Sequence, residues 1–164
     1  MEEWRGQTSA IHFAASRGVP EICIMLLERG ADINVRSEKG QTPLIAAAKR
    51  GQYHIIDFLL EKGADLDAET EYGETALHAA CYAVNIDVAK KEKKRFNLYG
   101  TVHEEQRKSE ETVRALKRLG LDVTKKNKKE QTPEEVAMKA KHFNLVEVLR
   151  ETENRDIPEE GEYA

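Results

Sequence analysis

A pattern that returns every 33 residues limits this chain more than any other feature. Ile11, Leu44 and Leu77 hold the same apolar slot, each 33 residues from the next. The fullest copy is GQTPLIAAAKRGQYHIIDFLLEKGAD, residues 40–65. QTSAIHFAASRGVPEICIMLLERGAD precedes it and GETALHAACYAV follows. In a fourth copy, EQTPEEVAMKAKHFNLVEVLRETE, Glu134 takes the slot 57 residues after Leu77, so the third unit carries 24 additional residues. A fixed period of this size signals stacked units, none of which can bury its apolar face alone.

The copies also say what each unit does. Thr42 can cap a helix through its hydroxyl, and Pro43 suits the first helical position, where no amide donor is needed. Leu44, Ala47 and Ala48 recur at helical spacing on a small-residue face. Gly51 ends that short helix, and Ile55, Ile56, Phe58, Leu59 and Leu60 make a second. Gly63 supplies a left-handed end.

These residues resemble the ankyrin repeat, whose consensus runs G-x-T-P-L-H-x-A-A-x-x-G-H-x-x-I-V-x-L-L-L-x-x-G-A-D. The resemblance covers most of residues 7–153 in four units. It implies an all-α solenoid of stacked helix-turn-helix repeats with short β-hairpin-like fingers, and a protein-binding rather than catalytic role. The expected organisation is an ankyrin repeat domain over 1–153, with units at about 7–39, 40–72, 73–129 and 130–153. Residues 154–164 form an acidic, aperiodic tail expected to be mobile.

Composition narrows the setting. The chain has 164 residues, 34% of them charged, and a formal net charge of −4. That balance suits a solvated surface and disfavours nucleic acid as the main partner. Cys23 and Cys81 fall on core slots in different helices, so no disulfide framework is expected and a reducing compartment is favoured. Without a signal peptide or a long apolar run, the expectation is a cytoplasmic monomer without membrane contact. A nuclear location is the alternative, and secretion would require a leader that has been removed.

The links 34–39, 67–72 and 124–129 are the predicted fingers. The second is acidic (Asp67, Glu69, Glu71) and the third basic (Lys125, Lys126, Lys128, Lys129). The resemblance implies that partners touch finger tips and the exposed face of each first helix. Carried onto this chain, those slots are Arg36, Glu38, Lys39 and Gln41; Glu69, Glu71, Tyr72 and Glu74; and Lys126, Lys128, Lys129 and Gln131. Ser16, Arg17, Lys49, Arg50, Tyr82, Ala83 and Lys139 complete the surface. Singly, each charge reads as ordinary solvation; as a set on one face they read as a binding surface. Tyr72 and Tyr82 stand out because tyrosine gives large contact area at low entropic cost. The lysine finger implies an acidic patch on a folded protein partner.

The insertion lies between Val84 and Ser109, with an extended helical hairpin expected over about 85–108. Leu77, Ala80, Cys81, Val84 and Val88 suggest a first helix that runs on. Thr101 with Glu104 makes a capping box for a second, from Val102 to Leu119. Shared equally, the added residues lengthen each helix by roughly 18 Å. Phe96, Leu98 and Tyr99 fall at the tip, beside the basic run KKEKKR, either folded back as a cover or forming a second docking site.

At the two ends, Trp4 would sit where a large apolar group could cover the first unit or anchor a partner. Glu134 and Arg150 replace core leucines, as suits a last unit facing water. His12 and His78 hold the family's histidine slot, which the resemblance links to hydrogen bonds between units; Ile45 and Glu135 break that series. His78 and Cys81 lie three apart on one helix, but two ligands fall short of a zinc site. No catalytic group, cofactor or metal is expected. The reading is a non-catalytic binding module that regulates or inhibits its partner. The alternative is a structural assembly part or a piece of a longer array.

Overall fold

Each repeat starts at the Thr-Pro dipeptide or its equivalent. A computed structural model describes residues 9–82 and 101–151. Thr42 is extended (φ −92°, ψ 165°), its hydroxyl accepts the Ile45 amide at 3.3 Å, and Pro43 opens the helix. One orphan donor of the first turn is thereby satisfied. That helix, α3 (Pro43–Lys49), stops before Gly51, which is left-handed at φ 69°. Helix α4 (Tyr53–Glu61) returns alongside it.

The same pair recurs as α1 (Ala10–Arg17) with α2 (Pro20–Glu28), α5 (Ala76–Cys81) with α6 (Thr101–Arg118), and α7 (Pro133–Lys139) with α8 (Phe143–Arg150). Helices α1, α3, α5 and α7 lie side by side in chain order, with α4, α6 and α8 in a second row behind them. The small residues explain how closely the first row packs: Ala15, Ala47, Ala48, Ala80 and Ala137 are wholly buried. In the second row Leu59, Leu116 and Leu145 are fully buried, each worth about 1.5–3 kcal/mol relative to exposure.

The third unit differs from the others in two features. Helix α5 ends at Cys81, where the Tyr82 amide bonds to the Ala79 carbonyl at 3.1 Å, so the expected continuous helix is interrupted at Tyr82. The rest of the expected first arm, with Phe96, Leu98 and Tyr99, lies outside the described residues. Helix α6 has 18 residues against 9 in α4. From His103 onward its first buried side chain is Ser109, and Lys108 joins Glu104 and Glu105 at 3.4 and 3.5 Å on the exposed portion.

The fourth unit carries its polar replacements as a pair. Glu134 occupies the slot of Leu44 and Arg150 that of Leu60. The Arg150 Nε and Nη2 both reach Glu134 Oε1, at 2.8 and 2.6 Å. At the far end of α8, Lys117 donates to the Val148 and Glu151 carbonyls at 2.6 and 2.7 Å, which satisfies helix-end acceptors.

Candidate protein-binding face

The fingers are built from one small hydrogen-bonded ring, used three times. Ser37, Thr70 and Asn127 each donate a backbone amide to the residue four positions on, Gln41, Glu74 and Gln131, at 3.0, 2.9 and 2.9 Å. Their side-chain oxygens accept the amide of that same residue in return, at 3.2, 3.3 and 3.0 Å. Each ring turns on a left-handed residue: Gly40, Gly73 and, in the third finger, Glu130 at φ 58°.

Successive fingers are then bonded to each other. The Glu71 amide reaches the Lys39 carbonyl at 3.0 Å, and the Lys128 amide reaches the Tyr72 carbonyl at 2.9 Å. A Cβ on Gly40 would stand 2.9 Å from the Glu71 nitrogen, so only glycine permits that approach. Histidines tie the fingers to the first helices. His12 Nδ1 accepts the Ser9 amide at 3.2 Å, which leaves Nε2–H to donate to the Gln41 carbonyl at 2.7 Å. His78 repeats this with the Thr75 amide and the Gln131 carbonyl, at 3.3 and 3.0 Å. Burial holds both imidazoles below their usual pKa, so they act as neutral linkers. Both His78 nitrogens are engaged and the Cys81 thiol is buried, with its pKa pushed up to about 12. That pair is therefore not poised for a metal. Glu135 instead closes an ordinary capping box, accepting the Thr132 amide at 2.8 Å.

This frame holds open a groove of about 720 Å³. Eight of the sequence-derived slots line it: Glu38, Lys39, Gln41, Lys49, Tyr72, Glu74, Tyr82 and Lys129. The register explains their order. Lys39, Tyr72 and Lys129 share one finger slot in units one to three, while Lys49 and Tyr82 share the last-turn slot of α3 and the position just after α5. Each tyrosine is 40–44% exposed. The Tyr72 phenol is raised by its bond to the Glu71 carboxylate, and Tyr82 by partial burial and then by Glu74.

Other slots do not join the groove. The Arg36 guanidinium donates to the Glu69 carbonyl at 2.7 Å, and the Glu69 carboxylate pairs with Lys125. Lys126 pairs with Glu130 at 3.3 Å. Acidic and basic fingers therefore answer each other in part. Arg50, Glu71 and Lys128 are exposed beside the groove, and Phe96 and Tyr99 lie outside the described residues. Ser37 and Thr70, which line the groove and close the finger rings, were not singled out from sequence. Their shared slot, filled by Ser, Thr and Asn, was the available signal.

Sequence reasoning also left His54 and His142 without a task. His54 Nε2 reaches the Gly18 carbonyl at 3.1 Å, and His142 Nδ1 reaches the Cys81 carbonyl at 2.9 Å, both across unit boundaries.

Among the described residues, no cluster of three or more His, Cys, Asp or Glu could hold a metal, and no helix is long and apolar enough to cross a membrane. Comparison with known proteins accords with the repeat register. A probable E3 ubiquitin-protein ligase of rice (Oryza sativa subsp. japonica), XBOS33, is 52% identical over 42 residues, which make up 26% of this chain. The E3 ubiquitin-protein ligase XBAT33 of Arabidopsis thaliana is also 52% identical over 42 residues. This chain spans only 8% of the length of either relative. A family model for ankyrin repeats in three copies matches residues 7–91, half of the sequence, and the chain belongs to the ankyrin repeat family.

Proposed function

We propose that this chain is a non-catalytic interaction module whose groove receives an acidic segment of a folded protein partner and regulates that partner by occupying it. Ankyrin repeats are generally protein–protein interaction modules. The observation that carries the finer reading is the row Lys39–Tyr72–Lys129 running beside Lys49 and Tyr82 in one groove. Two half-exposed phenol rings offer anchoring area, and the flanking ammonium groups favour carboxylates over a basic surface. The fingers are already bonded to one another, so little ordering entropy opposes association. The ligase activity named for the rice and Arabidopsis relatives is not carried over, because the shared 42 residues are repeat sequence.

Affinity capture followed by titration of the recovered partner tests this. Tyr72→Ala/Lys129→Glu should weaken binding by at least 30-fold, about 2 kcal/mol for loss of one anchoring site. Lys141→Ala, at the turn between α7 and α8, should leave it intact. Equal recovery by wild type and the double variant would sink the assignment. A partner whose activity is unchanged on mixing would remove the regulatory half of the proposal.

A further inference from the structure

The finger rings leave donors over. In the first, Ser37 Oγ accepts the Gln41 amide at 3.2 Å; in the second, Thr70 Oγ1 accepts the Tyr72 and Glu74 amides, both at 3.3 Å. A hydroxyl whose oxygen accepts from amides still carries its own proton. Among the described residues neither proton meets an acceptor, and both side chains are half-buried in the groove wall. The third finger differs. Asn127 closes its ring through Oδ1, but it is 3% exposed and does not line the groove, so its spare Nδ2–H is shut off from a ligand there. The open donors therefore sit at fingers one and two, which the Glu71–Lys39 bond holds together at 3.0 Å.

The cations of the same groove have a particular character. Lys39, Lys49 and Lys129 line it, and among the described residues no guanidinium does. A planar carboxylate is matched by the fork of an arginine, whereas ammonium groups act as point charges that accept an anion from many directions. The phenols already have partners: Tyr72 hydrogen-bonds to the Glu71 carboxylate and Tyr82 to that of Glu74. What remains is two hydroxyl protons and three ammonium groups, against the carboxylates of Glu38 and Glu74. That set suits an anion with more charge and more acceptor oxygens than a single carboxylate.

We propose, taking the groove as the partner-binding site, that its acidic occupant is recognised through a phosphorylated side chain, whose phosphoryl group sits among Ser37, Thr70 and Lys39 at the first two fingers. A phosphomonoester carries about −1.5 to −2 charges at neutral pH and three strong acceptor oxygens. Ser37 and Thr70 donate to two of these and Lys39 to the third, while Lys49 adds charge from α3. Water competes less for hydroxyls that are half-buried, which strengthens both bonds. Lys129 is left for a neighbouring carboxylate of the same segment. The chain's net charge of −4 disfavours an anionic membrane surface as the source of the phosphoryl group, so the occupant is a peptide.

Fluorescein-labelled peptides Glu-Glu-X-Glu-Glu, with X serine, glutamate, phosphoserine or phosphotyrosine, test this by anisotropy with the full-length chain at constant ionic strength. The better phosphopeptide should bind on the order of tenfold more tightly than the glutamate peptide, the effect of one further charge-assisted hydrogen bond. Ser37→Ala should bring the two together while the glutamate peptide binds as before. If that variant loses helical circular dichroism, Ser37→Asp is read instead, because its carboxylate accepts the Gln41 amide and has no proton to donate; the phosphopeptide advantage should again disappear. Lys141→Ala should change nothing. Equal binding of glutamate and phosphorylated peptides overturns the phosphoryl seat and leaves the acidic-segment reading standing, whereas no binding of any of these peptides overturns both. A phosphopeptide preference that survives substitution of Ser37 overturns the seat as well. Pelleting with phosphatidylcholine vesicles only when they contain a phosphoinositide, without a phosphopeptide preference, overturns it in favour of a membrane.

Discussion

Acidification should loosen this stack through two particular rings. His12 and His78 are 1% and 0% exposed and accept the amides of their capping residues, Ser9 and Thr75, through an unprotonated Nδ1. Protonating that nitrogen replaces an accepted bond with a clash of two donors and places a charge beneath the surface. Burial accordingly lowers both pKa values from the ordinary 6.5. With the folded value below the unfolded one, the unfolded chain binds more protons between them, and stability falls as pH drops through that interval. The loss begins near the unfolded imidazole value and stops once the folded value is passed. Each ring can contribute at most about 1.4 kcal/mol per pH unit within it.

The chain supplies its own control, because Ile45 fills the same slot in the second unit and is buried without such bonds. His78→Ile should therefore remove one of the two contributions, flattening the pH slope relative to wild type. At neutral pH it should cost about 1–3 kcal/mol, since the Thr75 amide loses its acceptor inside the protein. The Gln131 carbonyl keeps the Asn127 amide as a donor, so it is not orphaned as well. Urea titrations from about pH 7 to pH 5 read both quantities. An unchanged slope in His78→Ile would refute the argument, because the proton difference would then reside elsewhere. Solenoid units unfold with nearest-neighbour coupling, so the loss should appear first in amide exchange at the junction of units three and four.

Gly73→Ala should destabilise by about 1–3 kcal/mol in the same titration, because φ is +71° and the new Cβ would stand 3.2 Å from the Lys128 amide nitrogen. Asn127→Thr should stabilise by about 1 kcal/mol, since Asn127 Nδ2 is buried without a partner among the described residues, whereas Thr70 closes the equivalent ring with a rotatable hydroxyl and carries no amide nitrogen. Cys81 should resist thiol reagents in the folded chain at neutral pH and react on denaturation, its thiol being fully buried with a pKa of about 12.

Much of the fold was legible because the period tests itself. A cap at Thr42, a left-handed Gly51 and Gly63, and buried Leu44 and Leu59 each recur at a fixed distance, so every slot is sampled several times. The helix after the insertion was readable to within a residue, beginning at Thr101 rather than Val102 and ending at Arg118 rather than Leu119. The end of the first helix of that unit at Cys81 was not, because apolar spacing alone does not mark where a helix stops. Helical periodicity permits a helix; it does not compel one through Tyr82. Eight groove residues were legible for the same reason as the core, since each occupies a repeated slot. The bonds of Gln52 and His54 to the Ser16 and Gly18 carbonyls were hidden, because a polar residue in a turn carries no periodic signal of its own partner.

The finger charges show how the register should be used. Side chains one period apart are spatial neighbours, so a charge in one finger meets the next finger before it meets any partner. Arg36 and Glu69 are 33 residues apart and in contact, and Glu69 then pairs with Lys125 across the insertion. The contrast between an acidic second finger and a basic third one is therefore answered in part within the stack. It also separates paired cations from unpaired ones. Lys125 and Lys126 are engaged, whereas Lys39, Lys49 and Lys129 line the groove and make no ion pair among the described residues. An exposed ion pair such as Glu69–Lys125 contributes only about 0–1 kcal/mol, so its loss should barely change stability. On the proposed reading, these groove lysines are the cations open to an incoming carboxylate, and Tyr72 and Tyr82 stand beside them.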